Sequence, residues 1–237
     1  MEKILVKNTT TISTYCNNEY EKKCWNNGIF VAGIDEVGRG CLAGPVVTCA
    51  LILHPHVQHP LLKDSKVLTK KQLLIAADWI KNNAWYAFGM ADHNYIDQHN
   101  IYQATLFAMQ RAFYTLVSLP TLPQKPELIL VDAMPLTIPT QQLEILAFTK
   151  GESRSISIAA ASIMAKVMRD TLLNKMAQTF PGYYFENNKG YGSAQQYQQL
   201  EQAGATLLHR TTFLTTFNAQ KKESLHDQKA RQISLFG

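Results

Sequence analysis

Residues 31–40 read Val-Ala-Gly-Ile-Asp35-Glu36-Val-Gly38-Arg39-Gly40, an apolar run that ends in two adjacent carboxylates and a glycine-flanked arginine. Few structural needs place two acids at the end of a buried strand, whereas a divalent metal facing a phosphodiester requires them. Gly38-Arg39-Gly40 could then bring backbone donors and one cation up to a sugar-phosphate chain. A second apolar run, Glu127–Val131, ends in the same way at Asp132. Successive strand side chains point to opposite faces. Asp35 and Glu36 can therefore share a site only where the strand ends and the chain turns, which is where the glycines place a turn. If the two strands are neighbours, three carboxylates converge at one sheet edge.

Oxygen ligands without histidine or cysteine favour a hard cation, Mg²⁺ or Mn²⁺. Such clusters support hydrolysis of a phosphodiester with two ions about 3.5–4 Å apart. A lone strand-end aspartate is more often a turn or helix cap, but an Asp-Glu doublet with a second strand-end aspartate tilts the balance toward metal. Two acids compete for a fourth position. Asp170 follows Lys166 at i+4, where an exposed ion pair worth about 0.3–0.5 kcal/mol is the ordinary explanation. Glu152 lies in the loop Lys150-Gly-Glu-Ser153, which can swing toward a metal, and is preferred.

The elements that must carry these residues follow from the pattern. Ile29–Ile34, Val46–Leu53 and Trp85–Met90 read as strands, the first two as an antiparallel hairpin because only a glycine-rich turn separates them. A short helix is expected over Glu19–Trp25. Thr69-Lys-Lys-Gln72 is a capping-box start for a helix through Leu73–Ile80. Asn100 is expected to cap a longer helix whose Ile101, Thr105, Met109 and Phe113 share a face. Glu127–Val131 reads as a buried, central strand, Leu143–Phe148 as a weaker one, and Ser157–Ala177 as a long helix stopped by Pro181-Gly182. The sum is an α/β layer fold with a mixed sheet.

The chain has 237 residues, 46% hydrophobic and 17% charged, enough for one domain with a full core. No apolar run approaches the roughly 18 residues of a membrane span, and the N-terminus lacks a signal-peptide pattern; a cytoplasmic protein is expected. Cys16, Cys24, Cys41 and Cys49 are scattered at no zinc spacing, and read as reduced thiols. The net charge of +5 is compatible with nucleic acid on one face and decides nothing by itself. Three segments are expected: an N-terminal extension at 1–28, a catalytic domain at 29–217, and a polar tail at 218–237.

Several blocks resemble bacterial ribonuclease HII, the type 2 ribonuclease H family. They are Asp35-Glu-Val-Gly-Arg-Gly40 with Leu42-Ala-Gly-Pro45, Asp64-Ser65-Lys66 with Leu68-Thr69, and Val131-Asp132. To these are added Lys150 to Asp170, Lys189-Gly-Tyr-Gly192, and Gly204-Ala-Thr206 with His209-Arg210. The resemblance runs in order from about Ile29 to Phe217. It implies an RNase H-like fold, a mixed five-stranded sheet flanked by helices, with a helical C-terminal portion. It also implies an endonuclease that cuts the RNA strand of RNA/DNA hybrids, and cuts 5′ to ribonucleotides embedded in duplex DNA, leaving a 3′-hydroxyl and a 5′-phosphate. The family's metal carboxylates map onto Asp35, Glu36 and Asp132, and the fourth acidic position, usually Asp, onto Glu152.

The resemblance further maps Gly38, Arg39 and Gly40 onto the loop that reads the ribose 2′-hydroxyl, the atom that separates RNA from DNA. Tyr191 maps onto the tyrosine that packs on the sugar at the RNA–DNA junction; without its Lys-Gly-Tyr-Gly context a core aromatic would be favoured. Lys66 and Lys189 resemble phosphate contacts. His209 and Arg210 are open between substrate-side and structural roles. Glu152 for Asp adds a methylene, which would let Mn²⁺ be tolerated better than usual. Cys41 replaces a common proline and is expected to loosen its turn. Asn188 and Gln196 stand where the family often has histidine, and Thr211-Thr212 replace a usual Arg-Ser.

In the tail, Gln232-Ile-Ser-Leu235-Phe236 resembles the bacterial sliding-clamp-binding pentapeptide, with Gln232, Leu235 and Phe236 as anchors. The bland alternative is that this apolar end docks on the protein's own core. Expected partners are thus RNA/DNA hybrids, ribonucleotide-containing DNA and a sliding clamp, with no membrane, for a monomer. Two other readings compete: an RNase H-like exonuclease or junction resolvase, which cleavage of a DNA-only substrate would reveal, and a catalytically inactive hybrid-binding protein, which one cleavage assay would decide.

Overall fold

The computed structural model describes residues 18–139 and 143–215. The pentapeptide 232–236 lies outside the described residues. Helix α1 (Glu19–Trp25) is followed by strands β1 (Val31–Val37) and β2 (Val46–Leu53), helix α2 (Lys70–Asn83) and strand β3 (Ala84–Ala91). Helix α3 (His93–Val117), strands β4 (Leu128–Asp132) and β5 (Glu144–Phe148), and helices α4 (Ile156–Thr179), α5 (Phe185–Asn188) and α6 (Ala194–Ala203) complete the described part. The five strands form one sheet in the order β3-β2-β1-β4-β5. The β1–β2 and β2–β3 pairs are antiparallel, and β1–β4 and β4–β5 are parallel, so the sheet is mixed as expected.

Helices α3 and α4 cover opposite faces of the sheet, and the alternation of β1 sorts its residues between them. Ala32 and Ile34 belong to the core under α3, with Met109, Ala112 and Phe113. Val31 packs with Ile158 of α4, and Gly33 lies directly beneath the α4 backbone at Ser157. In β4, Ile129 and Val131 face α3 while Leu128 and Leu130 face α4. By the period of two, Asp35 and Asp132 both fall on the α4 face, and Glu36 falls on the other.

Helix α2 begins as expected: Thr69 Oγ1 accepts from Gln72 N at 3.3 Å, and Gln72 Oε1 accepts from Thr69 N at 2.9 Å. Two expectations change. Strand β1 does not end at Ile34 but runs on to Val37, because β2 continues to pair with it through Asp35↔Cys49, Glu36↔Thr48 and Val37↔Val47. Helix α3 starts at His93, capped by Asp92 Oδ1, which accepts from Tyr95 N at 2.8 Å. Asn100 is a kink within it (φ 62°, ψ 164°), and it still caps the second half by accepting from Tyr102 N and Gln103 N. Strand β4 is interior but off-centre; β1 is the middle strand. No helix among the described residues is long and apolar enough to cross a membrane.

Candidate metal centre

Three carboxylates meet at the end of the sheet. One oxygen from each of Asp35, Asp132 and Glu152 lies within 4.8 Å of the others. Asp35 extends past the last β1–β4 pair, Ile34↔Val131, and Asp132 is the last residue of β4, so parallel pairing brings the two acids side by side. Glu152 comes from a short 3-10 turn, Gly151–Ser153, just ahead of α4. That turn is locked to β4 because Gly151 N donates to Asp132 Oδ1 at 2.8 Å. A Cβ on Gly151 would sit 2.7 Å from Ile158 Cδ1.

Glu36 lines the same cleft but is not one of the three clustered acids. Since β1 does not turn until after Val37, Glu36 stays on the opposite face from Asp35. Its Oε1 accepts from Arg39 Nη1 at 3.3 Å, and its Oε2 is buried with no hydrogen-bond partner. A buried carboxylate oxygen at the cleft edge is chemically suited to coordinate a cation. Asp170, the rival for the fourth position, is instead paired with Lys166 at 2.9 Å. The loop acid is the one the fold brings in.

The field at this point is strongly unfavourable to bare negative charge. Burial, then Glu36, Glu152 and Asp132, hold the Asp35 carboxyl well above the usual carboxylate range. Burial also raises Glu36, against the pull of Arg39, and burial with a hydrogen bond that the protonated Glu152 donates to Asp64 pushes Glu152 up to about 7. The nearest cation on Glu152 is Lys66, whose Nζ lies 3.2 Å from Oε1. Ser162 Oγ of α4 donates to the same oxygen at 3.1 Å and is 2.9 Å from Ser65 Oγ. A buried, all-oxygen cluster with mutually repelling charges fits a hard divalent cation, which would offset that repulsion.

These shifts predict a pH effect. A carboxyl raised on folding contributes stability that is present below its unfolded pKa and is lost as pH rises through the folded value. His209, which burial pulls down to about 4, works the other way only below the ordinary histidine range near pH 6.5. From about pH 6.5 upward, therefore, the metal-free protein is expected to lose thermal stability as Glu152 ionises. Because an ion requires the ionised acids, Mg²⁺ should raise the melting temperature more at pH 8 than at pH 6.5. Thermal melts with chelator and with Mg²⁺ check both signs; a metal-free melting temperature that rises over this interval contradicts them.

The expected substrate residues surround the cluster. Gly38, Arg39, Gly40, Lys66 and Tyr191 line one cleft with Asp35, Glu36, Asp132 and Glu152, and with Ser65, Ser162 and Lys166. Tyr191 is 42% exposed, with the Arg169 guanidinium 5.9 Å from its ring centre. Lys189 differs from expectation. Its ammonium donates to Asn174 Oδ1 and to the Glu186 carbonyl, and it is not among the cleft residues, so it serves the loop rather than facing the cleft. The residues in place of the family's histidines also hold this loop: Gln196 Nε2 donates to Tyr191 O at 2.7 Å, and Asn188 Oδ1 accepts from Gly190 N at 2.8 Å. Cys41, expected to loosen its turn, is fully buried with Sγ 3.7 Å from Lys189 O. Thr211 and Thr212 both donate, through backbone and hydroxyl, to the Asp97 carboxylate on α3.

Sequence reasoning missed Ser65, Ser162 and Lys166 as cleft residues, although all lie in the two blocks that carry Lys66 and Glu152. It also left Arg210 unassigned. Arg210 and Arg169 are both fully buried, and their only signal in the sequence is a charged residue within an otherwise apolar or loop segment.

The sequence model of the family described as Ribonuclease HII matches residues 32–216. A ribonuclease HII of Levilactobacillus brevis is 46% identical over 195 residues, covering 82% of this chain and 72% of that protein. Among solved structures, the ribonuclease H2 of Pyrococcus horikoshii OT3 has a TM-score of 0.64 at 24% identity, covering 82% of this chain and 98% of that one. The ribonuclease HII of Archaeoglobus fulgidus, solved as a complex with PCNA, has a TM-score of 0.62 at 22% identity, covering 77% of this chain and 94% of that one. At these identities the two structures bear on the fold alone.

Proposed function

This chain belongs to the ribonuclease HII family, and on that footing we propose a metal-dependent endonuclease that hydrolyses the RNA strand of RNA/DNA hybrids and cuts duplex DNA 5′ to an embedded ribonucleotide, leaving a 3′-hydroxyl and a 5′-phosphate. The observation that carries this reading is the meeting of Asp35, Asp132 and Glu152 in one cleft with Gly38, Arg39, Gly40 and Tyr191. Cleavage chemistry and a reader of the sugar lie side by side.

In this reading Asp35, Asp132 and Glu152 hold Mg²⁺ or Mn²⁺, with Glu36 contributing from the other face. An ion held by these carboxylates would supply Lewis acidity toward a phosphodiester and lower the pKa of a bound water. The chain's own residues do the rest. Glycines at 38 and 40 let backbone amides approach the 2′-hydroxyl, and the Tyr191 ring offers a face to the adjacent sugar. Lys66, ion-paired with Glu152 in the same cleft, is the cation placed to contact a phosphate. Ser162 orients the Glu152 carboxylate, whose extra methylene would let Mn²⁺ be tolerated better than usual. Incubation with an RNA/DNA hybrid in Mg²⁺, in Mn²⁺ and in chelator tests the activity. Internal cuts in the RNA strand that require metal are expected; metal-independent cutting, or none, opposes the reading.

The cellular role that follows is removal of ribonucleotides and RNA primers, by a cytoplasmic monomer whose catalytic domain spans 29–217. We assign the tail residues Gln232, Leu235 and Phe236 to the binding of a sliding clamp. The pentapeptide pattern supports this, as does a relative solved with PCNA. In a calorimetric titration with a bacterial clamp, the full chain is expected to bind at least about tenfold more tightly than a version ending at Arg231, the scale of losing two apolar anchors. Equal affinity would remove the tail from the account.

A further inference from the structure

Two buried arginines, Arg210 and Arg169, lie against the chain segment 38–45 that contains the Gly38-Arg39-Gly40 loop. Arg210 makes four bonds, all to carbonyls: Nη2 to Gly38 O at 2.7 Å, Nη1 to Arg39 O at 2.8 Å, and Nε and Nη2 to Gly44 O at 3.0 and 2.8 Å. Arg169 makes three, to Pro45 O, Lys189 O and Ala43 O at 2.9, 2.7 and 3.1 Å. Among the described residues neither is ion-paired with a carboxylate. Three segments distant in sequence, 38–45, 189–191 and 209–210, are thus stitched together through two guanidinium forks. The chain passes Arg169 so closely that a Cβ on Gly38 would lie 2.2 Å from its Nε.

The geometry of the peptide unit gives this arrangement a consequence. In a trans peptide the C=O and the following N–H point in opposite directions. Arg210 draws in the carbonyls of Gly38 and Arg39, which belong to the same planes as the N–H groups of Arg39 and Gly40. Those two N–H groups are therefore turned away from Arg210, on a loop whose residues 38–40 line the cleft. A fork with two parallel donors fixes both planes at once, which a lysine or a water cannot do.

We propose that Arg210 is a positioning residue for substrate discrimination: by holding the Gly38 and Arg39 carbonyls it aims the Arg39 and Gly40 amides at the ribose 2′-hydroxyl, with Arg169 bracing the same loop against Tyr191. The Phe213 ring, 5.0 Å from the Arg210 guanidinium, backs the fork from the other side. This deepens the proposed function and rests on its assignment of the loop as the 2′-hydroxyl reader.

The test compares two duplexes, one carrying a single ribonucleotide and one all-DNA, bound in chelator by wild type and by Arg210→Lys. A ratio of affinities cancels any loss of folded protein, which would weaken both complexes alike. Wild type is expected to prefer the ribonucleotide duplex, and Arg210→Lys to reduce that preference roughly tenfold, the scale of one or two well-aimed hydrogen bonds, with little change on all-DNA. An unchanged preference in Arg210→Lys overturns the inference while leaving the function in place. Absence of any preference in wild type overturns the reading of the loop itself. Should Arg210→Lys not fold, Phe213→Leu keeps the guanidinium but removes its backing, and a smaller loss of the same preference is expected; no loss overturns the inference.

Discussion

Asp132→Asn is expected to lower cleavage in Mg²⁺ by about 10²- to 10³-fold, the scale of losing one preorganised electrostatic contact to the reacting group. The substitution isolates charge from shape. Asparagine has the same size, and its side-chain oxygen can still accept from Gly151 N, the bond that ties the Glu152 turn to β4. The cluster would keep its geometry and lose one unit of negative charge. Because Asp132 contributes to raising both Asp35 and Glu36, the metal-free variant should also be as stable as wild type or more so at neutral pH. Loss of activity without loss of stability is the signature of a ligand rather than of a structural cap. Single-turnover cleavage and metal-free melts measure the two halves, and near-wild-type cleavage would refute the assignment of Asp132.

Gly33→Ala is expected to do the reverse, acting through the fold. Gly33 faces α4 from the middle strand, and a Cβ there would lie 2.2 Å from the Ser157 carbonyl carbon and 2.7 Å from Ile158 N. Both are backbone atoms of a helix, so no side chain can swing aside. The helix or the strand must shift, at a cost of roughly 3 kcal/mol, or a fall of about 6–12 °C in melting temperature for a chain of this size. The same helix carries Ser162 and follows the Glu152 turn, while the same strand carries Asp35. Cleavage should therefore fall together with stability. A variant within about 2 °C of wild type with full activity would show that β1 and α4 are not in the close contact described.

How far the chain could be read in advance depended on the range of the forces involved. Local chemistry was legible: the Thr69 capping box, the β2 run, and Asn100 as a helix cap were all readable within a few residues. The first turns of α3 were not, because His93–His99 is polar and offers no apolar stripe. The end of β1 is not legible locally, because glycines at 38 and 40 signal a turn but the partner strand decides where pairing stops. That pairing places Glu36 across the sheet from Asp35.

Among the site residues, Asp35, Asp132 and Glu152 could be gathered from strand ends and a loop, since parallel pairing of neighbouring strands puts their ends together. Lys189 could not be judged, because its partner Asn174 lies on another helix. Arg169 and Arg210 were the least legible. All but one of their partners lie more than 100 residues away in sequence, the exception being the Lys189 carbonyl on Arg169, and all are backbone carbonyls, which leave no trace in residue identity.

The central claim, that this cleft cuts at ribose within DNA, is tested most directly by one substrate pair. A DNA duplex carrying a single ribonucleotide and its all-DNA counterpart are incubated with the enzyme in Mg²⁺, and the product ends are mapped. One cut on the 5′ side of the ribonucleotide is expected, with a 3′-hydroxyl and a 5′-phosphate, and no cut in the all-DNA duplex. Equal cutting of both duplexes, or ends of the opposite chemistry, would contradict the claim.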